Sequence, residues 1–273
     1  SYFFMHTDWI EFIEETTDLN HHEVDRVRRF LRFFYKQFEG VFVLNSEHRD
    51  WLTGHHMQLE ADRVHMTAHH INEPDPTIPK IEKSSLFPDA NDDTPVLLFS
   101  GRLSKEKGIF DLPDIFKTVQ QKIPTIKLVI AGSGPAKEEL EACLPDALFV
   151  GWVDKKRLSA LYKGLDLKVF PSRFDTFGNV VLEAFSHQMP VVAYDCKGPK
   201  DIIEHNLNGF LVDDKQQMSE AIISYFSPGF NRASFCLNAK KRSNVYQAEP
   251  IMMRFMENLG LQEKKVDELK SIV

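Results

Sequence analysis

Two cations, two carboxylates and a set of glycines fall at spacings suited to an anionic sugar ligand. The run GRLSKEKG at 101–108 places Arg102 and Lys107 five residues apart between glycines. Arginine offers a planar fork to phosphate oxygens and lysine a mobile point charge, so the two can converge on one anion. A solvated turn whose charges touch nothing is the other reading of this run. In IAGSGP at 130–135, Gly132 and Gly134 either let the backbone approach a ligand or make a tight turn. The full G-x-G-x-x-G fingerprint is absent, which favours a turn that merely starts a helix. The third run, FPSRFDTFGNVVLEA at 170–184, carries most of the signal. A polar loop leads into a helix near Gly178, whose first turn presents backbone N–H groups and a positive dipole end to a diphosphate. Glu183 lies within that helix, and a carboxylate, which only accepts hydrogen bonds, suits a ribose diol. Asp175, on the loop, can accept from the hydroxyls of a second sugar. The alternative is a helix cap at Asp175 and a surface acid at Glu183.

A sheet has to present these residues. From Pro95 onward, apolar strands are predicted at 96–100, 127–131, 147–150, 167–170, 191–194 and 209–212. Helices are predicted at 110–122, 135–143, 154–163, 178–187, 199–205 and 215–226. Short apolar strands alternating with helices imply a parallel sheet covered on both faces. Ligands of such sheets lie beyond the carboxyl ends of the strands, where all three runs fall. Upstream, Val24, Val27, Leu31, Phe34 and Phe38 mark one face of a helix over 21–38, with Asn20 as its cap. Buried strands at 1–5, 41–44 and 63–66 and a helix at 47–59 give a β-α-β-α-β order. Residues 72–94 hold Pro74, Pro76, Pro79 and Pro88 among many charges and read as a linker or crossing segment.

Composition narrows the class. The chain has 33 basic and 40 acidic residues and a net charge of −7, which argues against a nucleic-acid partner. Cys143, Cys196 and Cys236 are too few and too scattered for a disulfide framework or a metal set, so a reducing cytoplasm is expected. Apolar runs fall far short of the ~20 residues that span a bilayer. The first five residues lack the features of a signal peptide, and a chain that opens inside a strand is expected to be a piece of something longer. The basic side of helix 21–38 (Arg26, Arg28, Arg29, Arg32, Lys36) reads as a solvated face relieved by Glu23 and Asp25. A peripheral membrane contact is the alternative.

The stretch 101–212 resembles the donor-binding domain of retaining GT-B glycosyltransferases, family 4. The pieces GRLSKEKG, VIAGSGP, FVGWV, LYKGLDLKVFPSRFDTFGNVVLEAFSHQMPVVAYDCKGPKDII and NGFLV occur in family order and spacing. The resemblance implies an α/β fold of GT-B type, with one complete Rossmann-like donor domain and a partial amino-terminal one. The expected boundaries are 1–78 for the acceptor-side remnant, 79–94 for the linker, 95–245 for the donor domain and 246–273 for a helical tail. The family's E-x7-E motif falls on Asp175 and Glu183, with aspartate in place of the first glutamate. By the same resemblance Arg102, Lys107 and the backbone at Phe177, Gly178 and Asn179 hold the donor diphosphate, and Glu183 takes the ribose. Gly151, Trp152 and Val153 lie along the base, and Gly132 and Gly134 line the floor. His6, in the sequence His6-Thr7-Asp8 after a strand, resembles the family's acceptor-side histidine and joins Asp175 as a catalytic candidate.

The resemblance further implies a UDP- or GDP-linked sugar as substrate, a sugar or lipid-linked hydroxyl acceptor, no cofactor and no metal. The many other histidines (His21, His22, His48, His55, His56, His65, His69, His70) have no ligand spacing to contradict that. The expected location is cytoplasmic, with membrane association as an option. With few strands before the linker, the chain is expected to be catalytically incomplete, its missing strands supplied by the parent protein or a partner chain. The rival readings are a non-catalytic nucleotide-sugar-binding fragment and a GT-B epimerase or phosphorylase.

Overall fold

The structure, a computed structural model, describes residues 1–6 and 9–261. The chain divides into two compact units, one of residues 1–70 with those from 246 onward and the other of residues 71–245.

The smaller unit opens with strand β1 (Tyr2–Phe4), helices α1 (Trp9–Thr16) and α2 (His21–Tyr35), strand β2 (Gly40–Val43), helix α3 (Ser46–Thr53) and strand β3 (Val64–Met66). The strands are parallel in the order β1-β2-β3, with Tyr2 opposite Gly40 and Val41 opposite Val64. A reciprocal cap starts α2. The Asn20 side chain accepts from the amides of His22 and Glu23, and Glu23 Oε2 accepts from the Asn20 amide at 2.9 Å. Val24, Leu31 and Tyr35 of α2 then pack with Met5, Val41, Val43 and Leu52 in the core of this unit.

Helix α2 ends at Tyr35, three residues short of the expected span, and three further local expectations change. Strand β1, expected buried, leaves Tyr2 40% exposed because it pairs along one side only. The helix expected over 47–59 stops at Thr53, and its end carbonyl at Asp50 is taken by the Gly54 amide at 2.8 Å. Helix α1 occupies a stretch in which no element was expected.

The larger unit contains helix α4 (Lys83–Leu86), strand β4 (Val96–Ser100), helix α5 (Leu112–Lys122), strand β5 (Lys127–Ala131), helix α6 (Lys137–Cys143) and strand β6 (Leu148–Gly151). It continues with helix α7 (Lys155–Gly164), strand β7 (Leu167–Phe170), helix α8 (Asn179–Ser186), strand β8 (Val191–Tyr194), helix α9 (Pro199–Ile202), strand β9 (Gly209–Val212) and helices α10 (Lys215–Tyr225) and α11 (Arg232–Asn244). All six strands are parallel, in the order β6-β5-β4-β7-β8-β9. This is a doubly wound sheet whose winding reverses between β4 and β7. Its core joins Leu97 and Phe99 of β4 to Leu128, Ile130, Val169, Phe116 and Ile222.

Residues 72–94, expected as a linker or crossing segment, lie wholly within this unit and are clasped to it. Lys83 is 6% exposed, and its Nζ donates to the carbonyls of Asp92 (2.9 Å) and Thr94 (2.8 Å) and pairs with Asp166 at 2.8 Å. Helix α12 (Ala248–Asn258) belongs to the smaller unit, where the Phe255 ring centroid lies 4.5 Å from that of Phe42. Part of the expected helical tail, 262–273, lies outside the described residues.

Candidate functional site

Because the winding reverses between β4 and β7, the loops that follow these strands diverge around a crevice. Gly108 closes the first loop in a left-handed conformation (φ +64°). A Cβ there would overlap the Pro171 carbonyl, so only glycine lets the two loops meet backbone to backbone. A side-chain bridge reinforces this contact, with Lys107 Nζ 3.3 Å from Asp175 Oδ2. Asp175 Oδ1 accepts from the amides of Phe177 (3.1 Å) and Gly178 (2.6 Å), folding the loop into the start of α8. Ser172 Oγ donates to the Phe174 carbonyl at 2.9 Å in the same loop.

One carboxylate therefore both folds its own loop and bridges to Lys107, while Gly178, at the N-cap of α8, has no side-chain cap. The amides of Phe177 and Gly178, expected in a diphosphate cradle, donate to Asp175 Oδ1 in this structure. An aspartate two and three residues upstream is short enough to reach back to its own loop. Asn179 follows as the first residue of α8.

Beside this crevice lies a cavity of ≈500 Å³ lined by Arg102, Gly132, Gly134, Trp152, Val153 and Glu183, among others. Gly132 has no room for a side chain, since a Cβ would overlap the Gly101 carbonyl and hold the β4 and β5 loops apart. Trp152 is 75% exposed and offers a flat apolar face at the mouth. Gly151 immediately precedes it as the last residue of β6 but does not line the cavity.

Sequence reasoning missed what lies behind the cavity. Glu183 Oε2 accepts from the Tyr162 hydroxyl at a long 3.5 Å, and that hydroxyl stands 2.9 Å from Ser100 Oγ. Burial, and then the Glu183 charge, push the Tyr162 phenol well above its ordinary range, so it remains a donor. Lys168 of β7 completes the group. A lysine inside an otherwise apolar strand was the available signal. Glu106 was also missed. Its carboxyl is held below its usual range by the Ser104 hydroxyl (2.6 Å) and then by backbone hydrogen bonding, with Arg102 and Lys107 adding weaker pulls.

His6 lies in the smaller unit, exposed just beyond β1. Its ring stacks on Phe4 at 4.4 Å and stands 6.2 Å from His69. Thr7 and Asp8 of the same loop lie outside the described residues. Among the described residues no three His, Cys, Asp or Glu side chains gather to hold a metal ion. No described helix is long and apolar enough to cross a membrane. A larger cavity, ≈690 Å³, sits at the amino ends of β7 and β8. Several of its charges are engaged within the protein: Lys240 pairs with Glu73, and Lys163 donates to the carbonyls of Asp75 and Ile78. The strand-end cavity is the better candidate, because its Arg102 and Glu183 face open space at the switch point.

A doubly wound parallel sheet with cations, a helix start and a carboxylate around its switch point is a Rossmann-like α/β domain. More narrowly, the chain belongs to the glycosyl transferases group 1 family, which matches residues 80–242. It is similar to a GDP-mannose-dependent alpha-mannosyltransferase of Corynebacterium glutamicum, 36% identical over 115 residues that cover 42% of this chain and 27% of that protein. It is also similar to an alpha-D-kanosaminyltransferase of Streptomyces kanamyceticus, 28% identical over 191 residues covering 66% of this chain and 49% of that one. The matches thus span well under two thirds of these relatives' length. Among solved structures, Anabaena Alr3699/HepE in complex with UDP superposes with a TM-score of 0.76 at 19% identity, covering 95% of this chain and 71% of that one. Sucrose-phosphate synthase from Thermosynechococcus elongatus gives 0.74 at 18% identity, covering 100% and 68%. The fold class agrees with the expectation of a GT-B type α/β protein.

Proposed function

We propose that the larger unit binds the nucleoside-diphosphate sugar of a glycosyl transfer, and that the protein passes the sugar to a hydroxyl acceptor with retention of configuration. The observation that carries this reading is the convergence of Arg102, Trp152 and Glu183 on one strand-end cavity. Lys107 at the neighbouring switch point extends the cationic side. Glu183 accepts from the ribose and Trp152 lies against the base, which is that of UDP or GDP. Departure of the leaving group builds negative charge on the diphosphate. Arg102, Lys107 and the amino end of α8 stabilise that charge as it forms. Asp175 and His6 are assigned to the sugar and acceptor sides on family resemblance.

Calorimetric titration with UDP, GDP and ADP, followed by a panel of donor sugars, tests the reading. Submillimolar binding of one diphosphate, lost in Arg102→Ala, is the expected result, and no binding of any of the three rejects it. NMR of the transfer product reads the anomeric configuration.

A second contact has its own support. Phe30 and Phe33 on α2 are 64% and 66% exposed beside Arg26 and Arg29. Exposed aromatics among cations suit the surface of an anionic membrane. Co-sedimentation with anionic vesicles that is lost in the Phe30→Ser, Phe33→Ser double variant is the expected result.

A further inference from the structure

Strand β7 reads Leu-Lys-Val-Phe, and its lysine is fully buried. Burying a charge is costly unless partners compensate it, and an apolar side chain of similar length would fill the place without that cost. Lys168 Nζ donates to Ser100 Oγ, to the Ser100 carbonyl at 3.3 Å and to the Tyr162 hydroxyl at 3.4 Å. Tyr162 donates onward to Glu183 Oε2. With an ammonium at one end and a carboxylate at the other, the donors run in one consistent direction. Ser100 and Glu183 both line the strand-end cavity, so a buried ionisable amine stands directly behind its wall.

We propose that Lys168 is a positioning residue of the nucleotide site, holding Glu183 through Tyr162 and taking up a proton as nucleotide binds. The inference rests on the nucleotide-site reading given above. The groups facing Lys168 are Tyr162 from α7 and Glu183 from α8, with His187 of α8 beyond them, its ring 5.2 Å from that of Tyr162. Strand β4 presents Ser100, and Val191 of β8 lies opposite Lys168 in the ladder. Burial pushes the Lys168 ammonium down to about 7, against the pull of Glu183. An incoming diphosphate adds negative charge nearby and so favours the charged lysine. Binding therefore draws in a proton, and affinity falls as the pH rises past the Lys168 value.

The test is calorimetry of UDP, GDP and ADP at several pH values in buffers of different ionisation enthalpy, on the intact chain and on Lys168→Met. Titration of the phosphate itself is common to both proteins and cancels in the comparison. The intact chain should take up ~0.3–0.5 proton more than the variant near pH ~7.5 and lose several-fold more affinity toward alkaline pH. Tyr162→Phe, which keeps the lysine but cuts the link, should lose most of this coupling and discriminate less against a 2′-deoxynucleotide. It decides the matter alone if Lys168→Met does not fold. Equal proton uptake and parallel pH profiles across the proteins that fold overturn the role of Lys168 while leaving the nucleotide site standing. Failure of all three nucleotides to bind the intact chain overturns both.

Discussion

Lys107 Nζ and Asp175 Oδ2 lie 3.3 Å apart across the switch point, joining the loop after β4 to the loop after β7. Neither side chain is free in solvent, at 31% and 18% exposure. On the proposed reading, a diphosphate arriving there would compete with Asp175 for the lysine, while Asp175 would keep the loop amides of Phe177 and Gly178 that it holds here.

That arrangement separates two roles of Asp175. Lys107→Ala and Arg102→Ala should each weaken nucleoside-diphosphate binding by ~1.5–3 kcal/mol, the value of a charge-assisted hydrogen bond. Asp175→Asn retains an oxygen for the loop amides but releases Lys107, so it should bind the free diphosphate at least as tightly as the intact chain. If Asp175 also touches the donor sugar, the same variant should bind the corresponding nucleotide sugar more weakly. Calorimetry with both ligands on all three variants reads the difference.

Gly108→Ala tests the backbone contact beneath this pair. The added methyl meets the Pro171 carbonyl at a position already left-handed, so strain and overlap act together. A loss of ~2–4 kcal/mol of stability is expected, with diphosphate affinity falling as Lys107 moves away from the crevice. Thermal denaturation would show it, and a variant that melts with the intact chain would remove the contact from the argument.

The strands around these loops were legible because each is a short apolar run, most of them bounded by glycine, proline or charge and buried on both faces. Strands β4, β5, β7, β8 and β9 match their expected residues, whereas β6, an outer and half-buried strand, begins one residue late and ends at Gly151. Arg102 and Lys107 were expected on the loop after β4 and Glu183 within the helix after β7, and each lies there. The Lys107–Asp175 pair was not expected, because it joins residues 68 apart whose meeting depends on the sheet order. Asp175 stayed ambiguous because a cap and a sugar ligand demand the same acceptor chemistry. Lys83 was hidden for a different reason. Within a charged, proline-rich stretch nothing local distinguishes a buried lysine from a solvated one.

Glu183→Gln preserves shape and removes charge at the wall of the cavity. If the carboxylate accepts from the ribose, affinity for the ribonucleotide should fall by ~1–2 kcal/mol, and the preference over the 2′-deoxy form should shrink with it. Paired titrations with the ribo and deoxy nucleotides are sufficient. An unchanged preference would make Glu183 a structural acid whose only partner of consequence is Tyr162.

Lys83 and Asp166 should show how strongly the stretch before β4 is tied down. Asp166 Oδ2 accepts from the Val96 amide at 2.8 Å as well as from Lys83, so the pair pins the start of β4. Lys83→Met leaves the Asp166 carboxylate partly buried without its cation, a change that typically costs ~3–5 kcal/mol. The pH dependence supplies the sign. Burial raises the Asp166 pKa even with Lys83 and the Val96 amide pulling it down. An acid held above its ordinary value favours the folded state most when protonated, and that contribution is lost as the pH rises through the folded value. Removing Lys83 raises the carboxyl further, so the deficit of Lys83→Met should be small at acidic pH and grow toward neutrality. Urea denaturation of the intact chain and the variant at pH ~5 and pH ~8 measures it. A deficit independent of pH would mean that Asp166 relaxes into solvent when its partner is removed.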